Sequence, residues 1–283
     1  MAEIRSLEHC SIEALHAAFV KAFADYIVPF CPQQHELEYM LHRRGYVPQL
    51  SFGAFVNGEP VAFTLNCMGL WKGTPTAYDT GTGTIPEYRR QGLAAAIFEA
   101  AIPVLKEAGA QQYLLEVMQD NTRAVELYKG LGFGVVRELD YYSTPREKLV
   151  TGTAVPGYEI RMVADVPPQM AAIWDIPTSW QNSVACVERA WAGMRCWGAY
   201  MNDEPVGYAI LTPATGDVPQ MAVAPAHRRK GIGQWLLAIL AANATAANLR
   251  FANVDSAYEP FHRYAERTGM VGGPKQYEML LAL

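Results

Sequence analysis

The sequence predicts an α/β protein made of two tandem copies of one domain, each with helices over a mixed sheet. Three matches between its halves carry that prediction. Residues 52–63 match residues 197–208, with six of twelve positions identical. Residues 86–94 match residues 225–233, sharing Pro, Arg-Arg and Gly at the same spacing. Glu3-Ile4-Arg5 matches Glu159-Ile160-Arg161, and each triplet precedes a helix-like stretch. The matches fall in the same order in both halves, which one repeated motif would not do. Residues 144–157 hold Pro145, Gly152, Pro156 and Gly157 and read as the connection. The expected domains are therefore 1–145 and 156–283.

The elements of one copy follow from local pattern. Residues 4–7 read as a short strand. Ser11 caps a helix with Leu15, Ala18, Phe19 and Ala22 on one face. Residues 50–56 and 60–68 flank Asn57-Gly58, and the second copy has Asn202-Asp203 there, a strong hairpin signal. Residues 76–85 continue the sheet. Residues 92–108 form a helix with Leu93, Ile97, Ala100, Val104 and Leu105 on one face. Pro103 should kink or break it, because proline removes a backbone donor. A strand at 113–117, a helix at 121–129 closed by Gly130 and Gly132, and a strand at 135–142 complete the copy. An antiparallel front half thus meets a β-α-β back half.

Composition narrows the function. The chain has 283 residues, 51% hydrophobic and 18% charged, which excludes a disordered polymer. Its net charge is −5, without the basic face that nucleic-acid binding requires. No apolar run reaches the roughly 18 residues of a bilayer span. The longest, 232–247, is broken by Gln234 and Asn243. The N-terminus shows no signal pattern, so a cytoplasmic location is expected. The five cysteines lack Cys-x-x-Cys spacing and predict neither a disulfide framework nor a metal site.

The most informative stretch is Arg89-Arg90-Gln91-Gly92-Leu93-Ala94 and its counterpart Arg228-Arg229-Lys230-Gly231-Ile232-Gly233. In each, a strand ends near proline, a polar loop follows, and an apolar helix begins. A helix N-terminus exposes unpaired N–H groups and the positive end of its dipole. Glycine and a small residue let a pyrophosphate approach the amides from Gln91 to Ala94, or from Lys230 to Gly233. The arginines can add charge toward outer phosphates. Gly81-Thr82-Gly83 is no dinucleotide loop, since it lies in the strand and lacks the third glycine.

With these residues in place, both halves resemble the GCN5-related N-acetyltransferase (GNAT) superfamily. In the first copy the resemblance also rests on Thr84-Ile85-Pro86, Leu114-Leu115-Glu116-Val117, Asn121-Thr122-Arg123-Ala124, Leu127-Tyr128 and Gly132-Phe133. It implies the acyl-CoA N-acyltransferase fold, acetyl-CoA as co-substrate, and direct attack of a primary amine on the thioester. The acceptor would be a small molecule or a peptide. The strands 76–85 and 113–117 would splay to admit the thioester. No metal is called for, and oligomeric state is left open, a homo-oligomer included.

Such chemistry needs a base, an oxyanion donor and a proton for the thiolate. Tyr128, with a phenol pKa near 10 against about 8.5 for a thiol, is the candidate donor. Asn121, seven residues earlier, would hold the pantetheine arm. Glu116 is the first candidate base and Asp79 the second. A backbone N–H near Thr82, Gly83 or Thr84 would meet the oxyanion, with the glycines permitting a bulge. Tyr26, Phe30, His35, Tyr39, Tyr46 and Trp71 are candidates for an acceptor pocket, or for core. The second copy departs: Ala265 stands at the Tyr128 position and Tyr258 at the Asn121 position, with Tyr264 one residue away. Chemistry is therefore expected in the first copy. The alternatives are catalysis in the second copy and a non-catalytic acyl-CoA sensor.

Overall fold

Two-residue turns fold the front of the repeats, two in the first and one in the second. Asn57-Gly58, Lys72-Gly73 and Asn202-Asp203 have positive φ at both positions (52° and 85°, 50° and 79°, 51° and 64°). That geometry matches the twist of the strands they join. In the computed structural model, which describes residues 2–26, 30–166, 170 and 173–283, the first repeat runs β1 (Glu3–Ser6), α1 (Ile12–Phe23), α2 (Gln34–Arg44), β2 (Phe52–Val56), β3 (Glu59–Trp71), β4 (Thr74–Thr84), α3 (Leu93–Glu107), β5 (Gln112–Met118), α4 (Thr122–Gly130) and β6 (Gly134–Pro145). The second runs β7 (Glu159–Val163), α5 (Val184–Arg189), β8 (Arg195–Met201), β9 (Glu204–Leu211), β10 (Met221–Val223), α6 (Ile232–Asn243), β11 (Asn248–Asp255), α7 (Glu259–Thr268) and β12 (Gln276–Ala282). The hairpins β2–β3 and β8–β9 carry a register shift at the same place, after Ala54 and after Ala199. The duplication thus reaches down to a bulge. No helix among the described residues is long and apolar enough to cross a membrane.

The compact units of the structure do not coincide with the repeats. One unit comprises residues 1–137 and 276–283, the other residues 138–275. In the first, strands follow the order β1-β2-β3-β4-β5-β12, antiparallel except for β4 beside β5. In the second, β10-β9-β8-β7 form one sheet. The end of β6 pairs antiparallel with β11, from Leu139 opposite Asp255 to Pro145 opposite Asn248. Each repeat thus lends its last strand to the other unit. The stretch 144–157, expected as the connection between the repeats, lies inside the second unit.

In the first unit, α3 packs Phe98 against Tyr113 of β5, with ring centroids 5.5 Å apart. α1 stacks Phe19 on Phe63 of β3 at 5.7 Å. The expected break at Pro103 does not occur, and α3 continues to Glu107. Both Pro103 and Glu99, whose carbonyl loses its partner, are exposed, so that oxygen is open to solvent. Ile97, Phe98, Ala101 and Leu105 stay buried across the interruption. In the second unit Leu236, Leu237 and Leu240 of α6 pack with Ala209 and Leu211 of β9 and with Leu249 and Phe251 of β11.

One ion pair ties β12 into the first unit. Glu278 is fully buried and receives Arg137 through both carboxylate oxygens, at 2.9 and 2.6 Å. Removing one partner leaves an uncompensated buried charge, which typically costs about 3–5 kcal/mol. Glu278→Ala is expected to lower stability by about that much in urea unfolding, with Glu278→Gln falling between it and the parent chain.

Candidate functional site

Strands β4 and β5 pair only from Thr76 opposite Gln112 to Asp79 opposite Leu115. Beyond that point β4 runs on to Thr84 and β5 to Met118, and the two part. The cause is a bulge. Leu65 of β3 faces Gly81 and Asn66 faces Asp79, leaving Thr80 as the extra residue. Asp79 holds the bulge, its carboxylate accepting from the Gly81 N–H at 2.9 Å and from the Thr82 hydroxyl at 2.7 Å. Arg44, at the end of α2, donates to the Thr80 carbonyl at 3.2 Å and to its hydroxyl at 3.0 Å. The glycines in β4 also answer to α1. A Cβ on Gly83 would stand 3.0 Å from Ala22 Cβ and 2.8 Å from the Phe63 ring.

The expected trio of Tyr128, Asp79 and Glu116 divides between two faces. Neighbouring strand residues point to opposite faces, and Tyr78 and Asp79 do so. The Tyr128 hydroxyl lies 3.5 Å from Asp79 Oδ2, a long contact. Its ring is buried edge-on against Phe98 and Phe133, at 5.7 and 5.8 Å. Glu116 instead accepts from the Tyr78 hydroxyl at 2.9 Å. Its register partner in β12 is Glu278. That carboxylate comes from the far end of the chain, and no local signal in the sequence pointed to it. Burial pushes Asp79 up to about 6, against the pull of its bonds from Thr82, Gly81 and Tyr128. Burial, then the Asp79 charge, holds Tyr128 well above the usual phenol range, so the resting phenol carries its proton.

The two glycine loops share one conformation. A single 3₁₀ turn precedes each, at Pro86–Tyr88 and Pro225–His227. Arg89 and Arg228 then have the same backbone angles, φ −69° and ψ 161°. Arg90 and Arg229 follow at φ 61° and 64°, and Gly92 and Gly231 at 75° and 94°. Neither α3 nor α6 has a side-chain cap, whereas Ser11, Asn121 and Ser183 cap their helices. The amides of Gln91, Leu93 and Ala94, and of Lys230, Ile232 and Gly233, therefore lie at bare helix starts. The expectation that Arg89 and Arg228 reach toward phosphates needs correction. Arg89 bonds Thr84 O at 3.0 Å, Ala22 O at 3.0 Å and both oxygens of Asp25 at 2.7 Å. Arg228 repeats this with Val223 O, Ile173 O and Asp175. Arg89 fastens its loop to β4 and to the end of α1, and Arg228 fastens its loop to β10 and to the segment before α5.

The model of the Acetyltransferase (GNAT) family matches residues 15–133, and that of a GNAT domain matches residues 192–265. The chain belongs to the GNAT acetyltransferases. It is 32% identical over 96 residues to N-alpha-acetyltransferase 30 of Schizosaccharomyces pombe. It is 35% identical over 99 residues to the [ribosomal protein bS18]-alanine N-acetyltransferase of Escherichia coli K12. Each match takes in 34% of this chain, and the chain spans 64% and 62% of those relatives. A tandem GNAT protein from the clavulanic acid biosynthesis pathway superposes with a TM-score of 0.74 at 16% identity, over 100% of this chain and 98% of that one. At that identity the likeness shows the fold.

Within this GNAT pair the copies differ where Tyr128 stands. Tyr128 is the seventh residue of α4 and Ala265 the seventh of α7. The insertion that would have brought Tyr264 into that place is absent. The Tyr264 hydroxyl donates to Gly233 O at 3.0 Å instead. Asn121 accepts from Ala124 N at 3.3 Å as the cap of α4, and its side chain bonds the Tyr26 hydroxyl. Its counterpart Tyr258 gives α7 no side-chain cap. Of the aromatic residues proposed for a pocket, Phe30 packs on Phe19 and Tyr26 on Phe23. Trp71 closes the β3–β4 tip under Lys72. Among the described residues no cluster of His, Cys, Asp and Glu could hold a metal ion.

The raised Asp79 pKa predicts a pH effect. The folded chain holds this proton more tightly than the unfolded chain, where the carboxyl titrates near 3.8. Its contribution is therefore fully present below about 4 and is lost as pH rises through about 6. Two units correspond to roughly 3 kcal/mol. Asp79→Asn should remove that component, so the stability difference between variant and parent changes in the variant's favour from pH 4 to 7. Denaturant unfolding across that range measures it.

Proposed function

We propose that the first unit transfers an acetyl group from acetyl-CoA to a primary amine, by direct attack of the amine on the thioester. The single observation that carries this reading is the parting of β4 and β5 between Tyr128 on one face and Glu116 on the other. A thioester lying in that gap has a proton donor on one side and a base on the other.

The roles follow from position. The amides of Gln91 to Ala94 and the dipole of α3 receive the pyrophosphate, with Arg90 beside them and Arg89 holding the loop. The amide group of Asn121, beside Tyr26, borders the path of the pantetheine arm. The Ile85 N–H bonds Val61 O of β3. By the alternation of an antiparallel ladder, the N–H groups of Thr84 and Thr82 then point to the side that β5 has left. They are suited to stabilise the developing oxyanion, and Gly83 between them lets α1 close over the strand. Glu116, oriented by Tyr78, removes a proton from the acceptor's ammonium, directly or through water, and the neutral amine so formed attacks the thioester. Tyr128 donates a hydrogen bond to the departing thiolate and passes it a proton as the C–S bond breaks, and the proton that the amine nitrogen loses restores the phenol. Asp79 is a positioning residue: its oxygens hold the bulge and lie against the Tyr128 hydroxyl. The matched relatives are named for acetylating α-amino groups. We infer the same acceptor class here, the α-amine of a peptide or protein, in place of a free polyamine or aminoglycoside. The second unit, with Ala265 at the Tyr128 position, serves no proton-donor role.

The test is acetyl-CoA turnover with peptides of varied first residue beside polyamine and aminoglycoside acceptors. Peptide turnover is expected. Binding of acetyl-CoA with no acceptor consumed would favour a sensor. Tyr128→Phe should lower kcat by about 10²–10⁴ with acetyl-CoA affinity unchanged; equal activity removes Tyr128 from the mechanism. Glu116→Gln should lower kcat/KM by about 10²–10⁴, read in steady-state kinetics with the same peptide acceptor.

A further inference from the structure

Residues 152–158 lie in the second unit and run along the start of α6. The Gly152 N–H donates to Gln234 O at 3.0 Å. A Cβ on Gly152 would fall 2.9 Å from Gln234 Cβ and 3.2 Å from Trp235 N, so its backbone rests directly on the helix. Three residues on, Val155 Cγ2 lies 3.3 Å from where a Cβ on Gly231 would stand. Three further on, the Tyr158 hydroxyl meets His227 Nδ1 at 3.1 Å and accepts from Lys230 Nζ at 3.2 Å. The segment thus follows the loop from the first turn of the helix, past the glycine at its start, to the residues before it. The first loop has the same backbone and different surroundings. A Cβ on Gly92 would meet nothing within 4 Å.

An anion on the amides of Lys230 to Gly233 needs the space beside Gly231, and Val155 stands in it. It also needs the Lys230 ammonium, which Tyr158 engages. We propose that residues 152–158 are the resident occupant of the second cradle, so that the chain takes one acetyl-CoA, at α3. The second half of this statement rests on the reading of the first cradle above. The two nearly identical motifs then have different ligands: a diffusible pyrophosphate in one, a piece of the chain's own backbone in the other. The motif in the second repeat persists as the seat of an internal strap.

Calorimetric titration with acetyl-CoA tests it on the full chain. The parent should bind one equivalent. Val155→Gly with Tyr158→Ala, which touches no residue assigned to catalysis, should open the second cradle and raise the count by one. Two equivalents on the parent chain, or no gain on opening, overturns the proposal. Gly92→Val should abolish the parent's single site; survival of that site would sink the earlier reading of the first cradle and leave the gain on opening to be judged by itself. Hydrogen exchange on the unaltered chain gives an answer free of substitution. Acetyl-CoA should slow exchange at residues 91–95 and leave residues 229–235 unchanged, and slowing at the latter overturns the proposal.

Discussion

The site depends on where β4 stops pairing with β5. Two parallel strands side by side would seal the sheet, and nothing could pass between them. One extra residue, Thr80, ends that pairing after Asp79. Nearly every polar group nearby serves to keep it so. Asp79 ties down Gly81 and Thr82 from one side, and Arg44 grips Thr80 from the other. The cost is a carboxylate buried at 5% exposure, a large term to carry for one kink. Such a cost is tolerated where the kink has a use. The same carboxylate then adds to burial in raising the Tyr128 pKa, so the group that shapes the gap also acts on its neighbour's proton.

The local parts of this arrangement were legible in the sequence. The glycine loops, their helices and the hairpins are set by residues within a few positions of one another, and backbone preference alone specifies them. The gap between β4 and β5 was legible as well, through the resemblance and the run of glycines and threonines in β4. The directions of long side chains were not. Arg89 and Arg228 sit in sequence beside the loops, yet their guanidinium groups meet Asp25 and Asp175 on segments more than fifty residues earlier. Pattern at the loop cannot reveal a carboxylate so distant. The arginines matter to the cradle through its shape.

Strand faces were harder still. Tyr78 and Asp79 are adjacent, and which one joins Glu116 depends on the register of β5 and on the bulge, not on composition. The exchange of β6 and β12 had no signature at all. Each reads as a good final strand for its own repeat, with the same alternation, and only pairing across the whole chain decides the matter. Glu278 illustrates this: a lone acidic residue in an apolar strand, intelligible once Arg137 and β5 stand beside it.

That exchange also orders events during synthesis. The strand that flanks β5 is made long after β5 itself. Between the end of β5 and the start of β12 lie all of the second unit's residues. At typical elongation rates of roughly 5–20 residues per second, the first unit waits on the order of ten seconds or more with the β5 edge unpaired. An open edge is a template for wrong partners. A stop before β12 would leave that edge exposed for good.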